Sequence, residues 1–319
     1  MKKKVLLLIS FVFAITFSEM VIRYIIGFPD FGVEKYVVGL DMRGFDKCRV
    51  YKPKSKYYTI EGGLKTFKRN NIGLPGNDYQ DSLLNIILLG SSFVEAKEVD
   101  PCKMASVVLN EYCRKRGYQV LNLGYRGCTP YEQYTRLQYY GEMYKPDVVV
   151  LILDSTYDSW YSSRKHPIVN AEKIGKFGTT DTNLYHNVYK DLRNFSSLVN
   201  LVVPGLFVGS KKTDDDAQQL ALENELIDQS SISKLIQSIE LIKQNCNRLI
   251  VVSFIDNPKA LNFVKDNLSK CNLSLFQIDL KKPQNLVNGR GHLNEKGNLL
   301  LGSFIYRVLD KHVFSKEAQ

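Results

Sequence analysis

Five short apolar runs, each separated from the next by a helical pattern, constrain the fold of this chain most strongly. The runs cover residues 83–89, 119–123, 147–153, 248–255 and 273–280. Amphipathic segments predict helices over residues 101–116, 131–143, 232–245, 260–270 and 294–312. Strands that are apolar throughout are buried on both faces, which is typical of a parallel sheet covered by helices on each side. The sequence therefore predicts an α/β fold with five parallel strands.

The N-terminus carries a second strong pattern, in which lysines precede a long apolar segment. Residues 2–4 are lysines, and the apolar character continues from Val5 to about Ile22. A segment of about 20 such residues is long enough to span a bilayer, and no convincing signal-peptide cleavage site follows it. We expect residues 1–27 to form a single-pass anchor in the cytoplasmic membrane, with the remaining chain facing outward. A cleaved signal peptide and a buried core helix are the alternatives.

The rest of the chain divides by composition into an extension and a domain. Residues 28–82 are rich in Gly, Lys, Tyr and Asn, and predict an extension with short strands wrapped on the core. Residues 83–319 form the predicted domain, with an insertion at about 159–231 that is too long for a simple crossover. Insertions after a strand often form the wall of an α/β site. A solvated helical excursion with no ligand role is the alternative.

Composition excludes several classes of function. The net charge is +10, but the 43 Lys and Arg residues are spread along the chain, without the basic clusters that bind nucleic acid. Neither G-x-G-x-x-G nor G-x-x-x-x-G-K-[ST] follows a predicted strand, which excludes the common nucleotide-binding motifs. The six cysteines show no metal-ligand spacing, so we predict no metal or cofactor and mostly buried free thiols.

Polar and glycine-rich segments follow the predicted strands, where the ligand sites of α/β proteins lie. The segments are Gly90-Ser91-Ser92-Phe93, Asn122-Leu123-Gly124, Asp154-Ser155-Thr156-Tyr157-Asp158 and, before the last helix, Gly291-His292-Leu293-Asn294-Glu295-Lys296-Gly297. Each is a weak signal alone, because serine after glycine also caps helices and a lone histidine is usually structural.

In this order, the segments resemble the motifs of the SGNH or GDSL-type hydrolases, particularly the membrane-anchored bacterial members. The resemblance covers residues 72–158 and 249–309 approximately, and it implies a flavodoxin-like three-layer α/β/α sandwich with a five-stranded parallel sheet. It also implies that Ser92 is the nucleophile and that His292 is its general base. The backbone N–H groups of Ser92 and Gly124 would form the oxyanion hole.

The chain departs from the family pattern at three points. Ser91 replaces the aspartate of the Gly-Asp-Ser triplet, and Tyr157 is the expected occupant of the oxyanion asparagine position. The acid normally found two or three residues before the histidine is absent, because Arg290 and Gly289 occupy those positions. We expect a substitute acid from one of three aspartates that follow predicted strands, namely Asp256, Asp154 and Asp158.

These features predict a serine esterase or acyltransferase that acts on an acyl ester outside the cytoplasmic membrane. A small-molecule ester or an acylated glycan is such a substrate, and the sequence carries no signal for or against a protein partner. A catalytically degenerate relative with a binding or scaffold role in cell-envelope polysaccharide assembly is the main alternative, and an unrelated α/β binding domain is the second. Reaction of Ser92 with a fluorophosphonate probe distinguishes the enzyme from both.

Overall fold

The computed structural model describes residues 2–25, 28–29, 35–36, 49–50, 53–59, 65–125, 128–154, 229–256, 258–287 and 291–315. The helices of these residues are α1 (Lys2–Ile25), α2 (Ser92–Glu95), α3 (Ala105–Arg114), α4 (Pro130–Tyr144), α5 (Gln229–Gln244), α6 (Pro258–Lys270) and α7 (Glu295–Leu309). The strands are β1 (Phe28–Pro29), β2 (Lys35–Tyr36), β3 (Arg49–Val50), β4 (Lys56–Thr59), β5 (Lys65–Lys68), β6 (Leu84–Leu89), β7 (Tyr118–Asn122), β8 (Val148–Leu153), β9 (Leu249–Ser253) and β10 (Leu275–Gln277).

The last five strands form one sheet in the order β10-β9-β8-β6-β7, and every neighbouring pair is parallel. Counted from β6, this is the order 2-1-3-4-5 of flavodoxin-like folds. The predicted α/β fold with five parallel strands is therefore confirmed. In such sheets ligands bind at the carboxyl ends of the strands, where the strand order reverses, which here is between β6 and β8.

Both faces of the sheet are buried, which explains the continuous apolar runs. Ile86 and Leu88 of β6 pack on one face with α3 and α7, whereas the alternating residues Ile87 and Leu89 pack on the other with α4, α5 and α6. Successive side chains of a strand point to opposite faces, so a strand covered on both sides is mostly apolar along its length. These helices complete the three predicted layers.

The predicted elements differ from the structure mainly at their ends. Helix α3 begins at Ala105 rather than residue 101, because Pro101–Lys103 form a separate 3₁₀ turn capped by the Asp100 side chain. Strand β10 covers three residues instead of the predicted 273–280. It lies at the edge of the sheet and is only partly buried, and the apolar residues on either side of it do not belong to the strand.

Residues before the sheet form short strands, as expected for the extension. Strand β4 pairs in parallel with β1 and antiparallel with β5, and β2 pairs antiparallel with β3. Phe67 of β5 is buried and packs against the segment that follows α2. The domain boundaries remain predictions, and residues 155–228, most of the predicted insertion, lie outside the described residues.

Among the described residues, one helical stretch, Lys4–Ile22, is long and apolar enough to cross a membrane. A membrane anchor and a signal sequence share this property. The apolar side chains of the stretch, including Leu7 and Phe13, are exposed rather than packed against the domain, which argues against a buried core helix.

The described cysteines are free thiols, and Cys48 lies outside the described residues. Cys113 and Cys128 are buried, and burial raises the pKa of the Cys113 thiol to about 12, so that thiol stays protonated at neutral pH. The expectation that most cysteines are buried is wrong for those that are exposed or half-buried, namely Cys102, Cys246 and Cys271.

Candidate active site

Ser92 is the first residue of α2, a single helical turn that begins three residues after the end of β6. The side chain of Ser91 caps this turn by accepting a hydrogen bond from the Phe93 N–H. The N–H groups of the first helical turn have no acceptor within their own helix. The fold thus brings the Ser92 hydroxyl and the Ser92 N–H to the carboxyl edge of the sheet, beside the reversal of strand order.

His292 lies just before α7, on a segment that several backbone contacts hold in place. Its carbonyl accepts a hydrogen bond from the Val287 N–H at 2.8 Å, and the next residue, Leu293, is buried. Asn294 caps α7 by accepting from the Gly297 N–H. A Cβ atom at Gly297 would lie 2.4 Å from the Asn285 carbonyl oxygen, so the close approach of this helix to the preceding loop requires glycine.

The structure brings Ser92 and His292 together, although 200 residues separate them in sequence. The Ser92 Oγ lies 2.7 Å from Nε2 of His292. On the other side of the ring, Nδ1 lies 3.1 Å from Oε1 of Glu98. A hydroxyl, an imidazole and a carboxylate in this order are the arrangement that activates the nucleophile of serine hydrolases.

Glu98 is the functional residue that the sequence analysis missed. It follows Ser92 by only six residues and reaches the imidazole because the chain reverses at Ala96, which ends α2 in the left-handed conformation, with φ 55° and ψ 44°. The Glu98 side chain is 5% exposed, whereas that of His292 is 32% exposed. No family motif marks position 98, and the only sequence signal is a carboxylate shortly after the predicted nucleophile.

The aspartates expected to supply the acid have other partners. Asp154 follows β8 directly and is buried, and it accepts a hydrogen bond from the Ser91 hydroxyl. Asp256 forms a salt bridge with Lys281 at 3.4 Å, and its side chain is 56% exposed. The structure therefore corrects the expectation for both residues, because Glu98 occupies the Nδ1 side of His292 in their place. Asp158 lies outside the described residues.

The Gly124 N–H, which is predicted to contribute to the oxyanion hole, has a partner within the protein. This N–H donates to the side-chain oxygen of Asn122 at 2.9 Å, so this donor is already engaged. The amide nitrogen of Asn122 donates to the Val94 carbonyl at 2.8 Å, which ties the turn after β7 to α2. A Cβ atom at Gly124 would lie 2.5 Å from the Glu95 nitrogen, which shows how closely the two turns approach. Tyr157 and Arg290 lie outside the described residues.

A buried group of charged and aromatic side chains supports the turns around Ser92. Lys97 forms a salt bridge with Glu95 at 2.7 Å, and both side chains are almost fully buried. Nε of Arg136 donates to the Leu123 carbonyl at 3.0 Å, and the guanidinium lies over the Tyr125 ring, 5.2 Å from its centroid. Phe93 packs against the His292 ring with 5.3 Å between centroids. Buried networks of this kind hold catalytic groups in fixed positions.

The described residues contain no group of three His, Cys, Asp or Glu side chains placed to hold a metal ion. The side chains of Ser92, His292 and Glu98 meet at this edge of the sheet. A hydroxyl bonded to an imidazole whose far nitrogen faces a carboxylate is suited to nucleophilic attack on an acyl carbon.

Comparisons with known proteins give low similarity throughout. No family model and no curated protein sequence matches the chain. Similar solved structures include a two-domain esterase active on acetylated mannans, with 15% identity and a TM-score of 0.40 over 72% of this chain and 49% of that one. The esterase EstA from Pseudoalteromonas sp. gives 13% identity and a TM-score of 0.41 over 71% of this chain and 97% of that one.

A putative lipolytic protein of the G-D-S-L family from Desulfitobacterium hafniense gives 12% identity and a TM-score of 0.38, over 70% of this chain and 99% of that one. Similarity at this level carries no argument about the activity of this chain. The observations that bear on function are the contacts of His292 with Ser92 and Glu98.

Proposed function

We propose that this chain is a serine esterase or acyltransferase that acts on an acyl ester, with Ser92, His292 and Glu98 as its catalytic triad. The observation that carries the proposal is the row of contacts from Ser92 Oγ to His292 Nε2 and from His292 Nδ1 to Glu98 Oε1. A chance surface histidine has no reason to meet both a hydroxyl at a strand end and a buried carboxylate.

In the proposed reaction, Ser92 Oγ attacks the ester carbonyl carbon while His292 Nε2 takes the hydroxyl proton. The tetrahedral intermediate collapses, the bond to the alcohol oxygen breaks, and the alcohol leaves with the proton from His292. A water molecule or a second alcohol then attacks the acyl group on Ser92 and gives its proton to His292. The acyl group leaves Ser92, and the serine oxygen regains that proton.

Glu98 has two roles in this reaction. Its carboxylate accepts a hydrogen bond from the Nδ1–H of His292, which keeps the proton on Nδ1 and leaves Nε2 free to accept the proton of Ser92. The carboxylate also stabilises the imidazolium that forms. The Ser92 N–H is the proposed donor to the developing oxyanion, and one such donor contributes about 3 kcal/mol to transition-state stabilisation. The Gly124 N–H contributes only if the substrate oxygen replaces Asn122 as its acceptor.

The proposed substrate class is a glycan acyl ester outside the cytoplasmic membrane. The resemblance of the motifs to those of membrane-anchored SGNH hydrolases supports this class, and the apolar stretch Lys4–Ile22 supports attachment to a membrane. The residues of the triad serve hydrolysis and acyl transfer equally, because both reactions pass through the same acyl-enzyme.

A binding or scaffold role without catalysis is the second candidate, and the state of Gly124 favours it. The Gly124 N–H already donates to the Asn122 side chain, so this predicted oxyanion donor is engaged within the protein. A protein that had kept the fold while losing its reaction would tolerate this arrangement.

Labelling with a fluorophosphonate tests the two candidates against each other. We expect the full chain in detergent to react at Ser92 and to hydrolyse p-nitrophenyl acetate, and we expect Ser92→Ala to abolish both signals. Ser91→Ala is the matched control at the adjacent serine, and it should weaken the signals without abolishing them. Equal turnover by the wild type and Ser92→Ala would overturn the proposed enzyme and favour the scaffold.

Membrane attachment has a separate test. We expect the full chain to sediment with membranes, to resist extraction by high salt, and to be cleaved by protease only from the outer face. Release of a mature chain that lacks Val5–Ile22 would show a cleaved signal peptide instead.

A further inference from the structure

Strand β5, in the predicted extension, contacts the segment that carries Glu98. The side-chain amine of Lys65, in β5, donates a hydrogen bond to the backbone carbonyl of Glu98. Two residues along the same strand, Phe67 is 2% exposed and packs against a small apolar cluster after α2. The members of that cluster are Ala96, Val99 and Met104, with Val107 at its edge. Strand β5 therefore contacts both sides of position 98 along the chain.

The segment that carries Glu98 has no regular secondary structure that would fix its backbone. Residues 97–100 belong to neither a helix nor a strand, and α2 before them is a single turn. The neighbouring Lys97 is fixed by its salt bridge with Glu95. The Glu98 carbonyl, by contrast, has Lys65 as its partner, from an element about 30 residues earlier in sequence.

A second effect of the Lys65 charge is seen at Asp100, two residues after Glu98. Hydrogen bonds from Cys102 lower the pKa of Asp100 most, and the nearby positive charges of Lys65 and Lys103 lower it further. The Lys65 amine thus lies within electrostatic reach of Asp100 while it bonds Glu98. One cation stabilises two points of the segment.

From these contacts we infer that Lys65 is a positioning residue for the acid of the triad, and that β5 of the extension is a working part of the active site. The inference rests on the proposed function. Lys65 acts through the Glu98 backbone, and it keeps the carboxylate within hydrogen-bond reach of His292 Nδ1. A misplacement of about 1 Å at such a group can cost about 10²-fold in rate.

The first test compares three lysine variants of the full chain. Lys65→Met keeps the aliphatic stem and removes the donor, and we expect kcat to fall about 10- to 100-fold with KM little changed. Lys65→Arg keeps a donor and a charge, and it should restore most of the rate. Lys68→Met is the matched control, since it makes the same change at an exposed position of the same strand. Equal losses in Lys65→Met and Lys68→Met would overturn the inference.

A double-mutant cycle separates positioning from a general effect on folding. In a Glu98→Gln background the carboxylate is gone, so Lys65→Met should change kcat little further. The same fold-loss in both backgrounds would show that Lys65 does not act through Glu98. Thermal unfolding, followed by circular dichroism, checks that Lys65→Met remains folded at the assay temperature.

Histidine labelling tests the contact without using turnover. The chain has four histidines, so a ¹⁵N-histidine sample in detergent gives few ring signals, and Ser92→Ala and His292→Gln assign the signal of His292. We expect the Nδ1 proton of His292 to show the downfield shift of a carboxylate-bonded proton, and Lys65→Met to move or broaden it. An unchanged signal would overturn the inference, whereas absence of Ser92 labelling with a changed signal would overturn only the proposed function.

Discussion

Two buried carboxylates flank the turn that begins at Ser92, and they differ in what they contact. Glu98, on the segment after α2, faces Nδ1 of His292, whereas Asp154, directly after β8, accepts a hydrogen bond from Ser91. Both are nearly inaccessible to solvent, at 6% and 1% exposure. Burial and position at the edge of the sheet therefore do not distinguish a catalytic carboxylate from a supporting one.

The difference comes from where each side chain begins. Asp154 lies directly after a strand and has a short side chain, which reaches Ser91 after the neighbouring strand β6. Glu98 lies on a segment that has reversed direction at Ala96, and this reversal brings it to the far side of the imidazole. The role of a buried carboxylate at this edge therefore depends on the group that it contacts, rather than on its distance from the end of a strand.

The largest expected effect is the loss of the Glu98 charge. We predict that Glu98→Gln lowers kcat by about 10⁴-fold, the cost of leaving the imidazole in the wrong tautomer in a serine hydrolase. Steady-state kinetics with p-nitrophenyl acetate, together with the rate of fluorophosphonate labelling, measures the effect.

Asp154→Asn is the control that belongs to this comparison. It removes the other carboxylate while its amide oxygen still accepts from Ser91, so we predict a much smaller loss than that of Glu98→Gln. A larger loss in Asp154→Asn would reverse the assignment of the two carboxylates.

The second prediction concerns Ser91, at which the family pattern has aspartate. Ser91→Asp puts a second carboxylate beside Asp154 in a buried place, so we predict a stability loss of about 3–5 kcal/mol near neutral pH. Repulsion between the two adjacent carboxylates raises the pKa of one of them in the folded state above its value in the unfolded chain. The loss should therefore grow as pH rises above about 4, the ordinary pKa of aspartate.

Chemical denaturation of the wild type and Ser91→Asp across this pH range provides the measurement. Ser91→Asn has nearly the same shape without the charge and can donate to Asp154, so it should lose less stability and show no added pH dependence. Similar curves for both variants would mean that bulk, and not like charge, determines the loss.

The smallest effect is expected at Asp256, one of the three aspartates predicted from the sequence as substitute acids. Its salt bridge with Lys281 is solvent-exposed, and such pairs contribute about 0–1 kcal/mol. We predict that Asp256→Asn changes kcat less than twofold and leaves the unfolding midpoint almost unchanged. A loss comparable to that of Glu98→Gln would place Asp256 in the reaction.

Much of the fold could be predicted because burial on both faces leaves a clear signature. The predicted strand over 83–89 is observed as Leu84–Leu89, and that over 147–153 as Val148–Leu153. Edge strand β10 was predicted too long, because half-buried positions and adjacent loop residues have similar composition. Of the site, the resemblance of the segments to SGNH-type motifs led to the expectation that Ser92 and His292 act together, and the two side chains are in contact.

The rest of the site depends on features that a one-dimensional pattern does not contain. The left-handed turn that brings Glu98 to His292 lies at Ala96, where glycine, the usual sequence signal of this conformation, is absent. Likewise, the presence of Gly124 after a strand predicts a close backbone approach, but the side chain of Asn122 decides what its N–H contacts. The first outcome depends on a contact between segments distant in sequence, whereas the second depends on a hydrogen bond between residues two positions apart.

The short separation between Ser92 and Glu98 has a consequence for how the site is assembled during folding. Two members of the proposed triad are close in sequence once α2 and the Ala96 turn have formed, whereas His292 arrives from 200 residues further along the chain. Closing a loop of that length is the entropically expensive step, and it ends only when the start of α7 docks on α3. If the proposed esterase activity is present, its rate of recovery on refolding would therefore report the rate at which the C-terminal helix docks.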